Sequence, residues 1–203
     1  GVLSLAMVIT ASPVFIPTET VKAAVNTTTI PLDVANGSIA ISDSGYKQGD
    51  NTVTGKYNYV ITGSAESRYS SVAAISDYIS VRDYTGNIEL NEVTLDCVGM
   101  SPIDFGSGVK STVTITGDNE LNITGGGTQA LDLGGAAFDV NHDAKVKLAG
   151  HGTLTVQGRY GVGLGVGCLD SFTGSLSIGD SVTVNAGSTY AACIGASYGA
   201  NVT

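Results

Sequence analysis

Val113-Thr114-Ile115-Thr116-Gly117-Asp118-Asn119-Glu120-Leu121-Asn122-Ile123-Thr124-Gly125-Gly126-Gly127 sets two apolar-x-apolar triplets ahead of a glycine corner. Strand side chains alternate between faces, so each triplet points its two aliphatic residues one way and a polar residue the other. The unit recurs in three series. The first is Val93-Thr94-Leu95, Leu121-Asn122-Ile123, Leu154-Thr155-Val156 and Val182-Thr183-Val184, at intervals of 28, 33 and 28 residues. The second is Ile103-Asp104-Phe105, Leu131-Asp132-Leu133, Val162-Gly163-Leu164 and Ala192-Cys193-Ile194, at 28, 31 and 30. The third is Val113-Thr114-Ile115, Val146-Lys147-Leu148 and Leu176-Ser177-Ile178, at 33 and 30.

Strands this short cannot bury an apolar face alone, so the repeat predicts stacking into one aliphatic column. The expected fold is all-β, a right-handed parallel β-helix with three strands per coil and about four to five coils. Val60-Ile61, Ile79-Ser80-Val81 and Ile88-Glu89-Leu90 read as a looser first coil, with Ser38-Ile39-Ala40-Ile41, Gly45 and Tyr46 as an N-terminal cap. A β-sandwich also supplies short strands, but it gives no reason for a repeat of this length.

Residues 1–24 differ from the rest. Val2-Leu3-Ser4-Leu5-Ala6-Met7-Val8-Ile9 has the length of a signal-peptide apolar region, and Val21-Lys22-Ala23 offers a small-residue cleavage site. The run is too short to span a bilayer. Export is therefore expected, with residues 25–37 as a linker and 38–203 as the β-helix. A stack ending at Asn201-Val202-Thr203 would leave its column open, so further chain or a covering partner is expected there. The odd cysteine count, Cys97, Cys168 and Cys193, allows one disulfide at most and suits small buried thiols.

Lys plus Arg total 9 against 18 for Asp plus Glu, a net charge of −9 that disfavours nucleic acid. His142 and His151 sit in turn-like stretches with no nucleophile motif beside them. Gly161-Val162-Gly163-Leu164-Gly165-Val166-Gly167 lacks the Lys-Ser/Thr end of a phosphate loop and follows the strand rhythm. Two constellations remain. Asp104 and Asp132 are expected as outward neighbours on adjacent coils, where paired carboxylates repel, recruit a cation such as calcium, or simply face solvent. Tyr160 and Tyr190 occupy equivalent corners, where stacked rings either brace the fold or offer a platform to a sugar ring.

Ile39-Ala40-Ile41-Ser42-Asp43-Ser44-Gly45-Tyr46, Tyr59-Val60-Ile61-Thr62-Gly63, Asn87 to Leu95 and Asn119-Glu120-Leu121 give the chain a further bearing. Over residues 38 to 203 it resembles secreted β-helix proteins of clostridia and relatives, labelled carbohydrate-binding domain-containing proteins. The resemblance implies a secreted or cell-surface module that binds plant or bacterial polysaccharide without cleaving it, in some members with calcium. It transfers no binding residue, because the matching positions are core and turn. The leading expectation is thus a non-catalytic polysaccharide-binding or adhesive module needing no cofactor. The alternatives are a lyase or hydrolase acting on acidic polysaccharide, and a structural stalk.

Overall fold

The computed structural model describes residues 28–67, 78–124, 135–167, 171–196 and 201–202. The signal-peptide segment, Asp132 and Cys168 lie outside them. In chain order the strands begin with β1 (Thr29–Asp33), β2 (Ile39–Ser42), β3 (Gly45–Gln48), β4 (Asn51–Thr54), β5 (Asn58–Ser67) and β6 (Ile79–Val81). There follow β7 (Thr85–Cys97), β8 (Ile103–Phe105), β9 (Lys110–Thr116), β10 (Asp118–Ile123), β11 (Phe138–Val140), β12 (Lys145–Gly150) and β13 (Thr153–Gly158). The last are β14 (Leu164–Val166), β15 (Ser171–Phe172), β16 (Ser175–Ile178), β17 (Thr183–Ser188), β18 (Ile194–Ala196) and β19 (Asn201–Val202). Runs rich in Val, Ile and Thr favour this state, since their branched side chains pack well on a pleated, half-buried surface.

The chain is all-β, but the three-strand-per-coil β-helix is not what these strands form. They assemble into a parallel half-barrel of nine strands, ordered β16-β12-β9-β7-β10-β13-β17 with β5 and β1 added, and a mixed sheet of eight. The first and third triplet series share the nine-stranded sheet instead of forming separate ladders. The cause is β7, a continuous strand of 13 residues whose first part pairs with β9 and whose second part pairs with β10. The second sheet, β18-β14-β11-β8-β6-β2-β3-β4, turns antiparallel at β2-β3 and β3-β4. β1 lies in the segment read as a linker and pairs with β5.

At the join, Glu92 takes a positive φ of 55° and the buried Asn119 holds the chain around it. Asn119 Oδ1 accepts the Val93 N–H at 3.0 Å and its Nδ2 donates to the Thr116 carbonyl at 3.0 Å. Two backbone groups that the bend removes from the ladder are thereby satisfied.

The inward faces of both sheets merge into one core. Leu90, Leu95, Ile115, Leu121 and Leu148 of the first sheet and Ile79, Ile103, Phe105 and Phe138 of the second belong to the same buried cluster. Phe105 and Phe138 stack at 5.1 Å. Each such side chain contributes about 1.5–3 kcal/mol by leaving water, so these contacts outweigh local propensity in fixing the sheets. Burial fades at the last strands, where Ile178 is 44% and Ile194 55% exposed.

Candidate functional site

Pairing in the second sheet places Ser80, Asp104, Asp139, Gly165 and Gly195 in one row across β6, β8, β11, β14 and β18. The carboxylate beside Asp104 is therefore Asp139, not Asp132. Nor does Asp104 face solvent: it is 4% exposed, and all three residues of β8 are buried. Its Oδ2 forms an ion pair with Arg82 Nη2, while Oδ1 accepts from Asn141 Nδ2 at 2.8 Å. Arg82 Nη1 also donates to the Asp104 and Val81 carbonyls at 3.1 and 2.9 Å. Asp139 Oδ1 accepts the Gly167 N–H at 3.0 Å.

This arrangement suits a structural clamp. Both Asp104 oxygens are engaged by donors from within the fold. Among the described residues no three His, Cys, Asp or Glu side chains group to hold a metal. Farther along the row the residues are glycine for a steric reason. Gly165 has φ +143°, and a Cβ there would collide with the Gly195 carbonyl oxygen.

Tyr160 and Tyr190 do come together. They follow β13 and β17, which pair in register from Thr153 opposite Thr183 to Gly158 opposite Ser188. Beyond the strands the corners stay tied: Tyr190 N–H donates to the Arg159 carbonyl at 2.9 Å, and Ser188 Oγ to the Gly161 carbonyl at 2.8 Å. The two rings lie 4.7 Å apart at 11°, and the Arg159 guanidinium sits 5.2 Å from the Tyr160 centroid. Tyr190 is 66% exposed, so one face rests on Tyr160 and the other is open to solvent. The result is a flat aromatic shelf with a cation beside it and hydroxyls at its rim.

No family model, curated protein or solved structure matches the chain. The reading of the site therefore rests on its own geometry. No helix among the described residues is long and apolar enough to cross a membrane.

The other chemistry-bearing residues are peripheral or structural. His142 and His151 are exposed in corners, Cys97 is a buried thiol, and Cys193 is an exposed one. Asp143 is held below the usual carboxylate range, chiefly by the Gly108 N–H at 2.9 Å and also by Ser107.

A feature not singled out from sequence is a shallow groove of about 370 Å³ over the outer face of β7, β9, β12 and β16, bordered by Lys110, Lys145 and Lys147. The signal was present in the outward positions of Lys110-Ser111-Thr112 and Lys145-Val146-Lys147. Only the pairing of β9 with β12 shows that the lysines are neighbours.

Proposed function

We propose that the chain is a non-catalytic polysaccharide-binding or adhesive module that works outside a bacterial cell. The observation that carries this is the Tyr160–Tyr190 shelf, an aromatic pair with one broad face left in solvent. A pyranose presents an apolar C–H face and polar edges, and an exposed tyrosine offers the matching apolar plane with a hydroxyl at its end. Neighbouring parallel strands about 4.8 Å apart also form a polar outer surface along which an extended polymer can make repeated contacts.

Retention on a panel of insoluble and soluble polysaccharides, run beside a reducing-sugar assay, tests the reading. Retention of at least one polymer without product release is expected, and Tyr190→Ala should weaken it about tenfold, roughly 1.4 kcal/mol. Turnover of a retained polymer, or no retention on any, would overturn it.

A further inference from the structure

The lysine groove recorded above carries charge of the opposite sign to the protein as a whole. Thr85, Lys110, Lys145 and Ser175 stand in one row across four parallel strands, and Asn87, Thr112, Lys147 and Ser177 in the next. Rows are about 6.6 Å apart along the strands, and neighbours within a row about 4.8 Å apart. All three lysines are exposed, and among the described residues none of their ammonium groups forms an ion pair or hydrogen bond. Like charges directly opposite on adjacent strands repel. Three of the nine basic residues of a chain with net charge −9 are thus gathered where they disfavour one another.

Among the described residues no carboxylate forms an ion pair with these three lysines. Asp43 is paired with Lys56 at 2.7 Å and accepts the Thr85 N–H at 2.8 Å. Asp143 is bound to Gly108 and Ser107. Glu89, the β7 carboxylate nearest to the lysines in register, lies two strands and one row from Lys147, roughly 12 Å by strand geometry. That exceeds the screening length at physiological salt.

We propose that this face binds a polyuronate, an extended polysaccharide carrying one carboxylate per ring, lying across the strands. Lys110 and Lys145, one strand apart, match charges that recur ring by ring instead of at wide intervals. The short hydroxyl and amide side chains of Thr85, Asn87, Thr112, Ser175 and Ser177 suit ring hydroxyls, which a polyuronate retains and a heavily sulfated polymer loses.

The inference rests on the polysaccharide-binding reading for the class of polymer, but it uses a different surface from the tyrosine shelf. Affinity electrophoresis of the full chain through polygalacturonate tests it, with dextran, dextran sulfate and duplex DNA as parallel arms. Wild-type protein should be retarded by polygalacturonate, and the K110Q/K145Q/K147Q variant at least tenfold less, with a flatter salt dependence. Circular dichroism checks that the variant is folded. The K47Q variant, which removes an exposed lysine on β3 in the other sheet, should behave as wild type.

Unchanged retardation of the triple variant, or stronger binding to dextran sulfate or DNA than to polygalacturonate, overturns this proposal and leaves the tyrosine reading standing. Binding to dextran but not polygalacturonate has the same consequence. Failure to bind any polysaccharide defeats both readings together.

Discussion

Replacing Tyr59 by Phe should stabilise the protein. Tyr59 is 1% exposed, with its ring 5.8 Å from Tyr46, 6.4 Å from Tyr57 and 5.7 Å from Tyr84. Its buried hydroxyl has no hydrogen-bond partner among the described residues. A hydroxyl taken out of water without compensation costs about 1–3 kcal/mol, so Tyr59→Phe should raise the unfolding free energy by about 1–2 kcal/mol at pH 7.

The same burial, with smaller contributions from Tyr46, Tyr57 and Asp43, pushes the Tyr59 phenol up to about 12 from its ordinary value near 10. A raised folded-state pKa leaves stability intact below pH 10 and erodes it as pH rises from 10 to 12. The unfolded chain releases the proton first, and the share at stake is about 3 kcal/mol. Tyr59→Phe removes that share, so the variant should lose less stability over this window.

Tyr84 supplies the contrast. Its hydroxyl, equally buried, donates to the Tyr57 and Asn87 carbonyls at 2.9 and 3.0 Å, so Tyr84→Phe should cost about 1–2 kcal/mol. Urea unfolding at pH 7 and across pH 9–12 reads both variants. A Tyr59→Phe protein destabilised by more than about 1 kcal/mol, or one with the wild-type alkaline loss, would refute the reasoning.

Asn119→Ala strips the β7 bend of both its side-chain bonds and should cost about 2–4 kcal/mol in urea unfolding, whereas a change under about 0.5 kcal/mol would mean that the bend holds itself. Asp104→Ala leaves the Asn141 amide and Arg82 without their carboxylate. It should lower stability by about 2 kcal/mol, discounted because the Arg82 side chain is 39% exposed, and leave polysaccharide retention unchanged. Loss of retention in a folded Asp104→Ala protein would return that residue to the binding surface.

What the sequence made legible was the facing of side chains; what it could not supply was the partner of each strand. Alternation put Leu121, Ile115, Leu148 and Val156 inward, and all are buried. Spacing set Leu121 against Val93 and Val113 against Val146, but the sheets pair Leu121 with Leu95 and Val113 with Leu148. Each slip is two residues, which preserves the face and so leaves no trace in the hydrophobic pattern. The neighbour found for Asp104 has the same root. Leu131-Asp132-Leu133 and Phe138-Asp139-Val140 carry the same apolar-Asp-apolar pattern, and the packing of Phe138 on Phe105 selects the second.

The β-helix expectation failed at β7 because sequence periodicity cannot show that strands of two series join one sheet. Where two segments match closely over several residues, as do Tyr160 to Gly165 and Tyr190 to Gly195, the expected pairing of Leu164 with Ile194 and the ring stack are both present.

The most direct test of the glycan-binding account uses the protein's lack of tryptophan. Tyr190→Trp installs the chain's single tryptophan on the open face of the shelf, excited at wavelengths where tyrosine does not absorb. Titration with a polysaccharide retained by the wild-type chain should give a saturable blue shift or intensity change at the concentration where retention saturates. Emission that stays constant while the polymer binds would contradict the claim that the sugar lies on this ring.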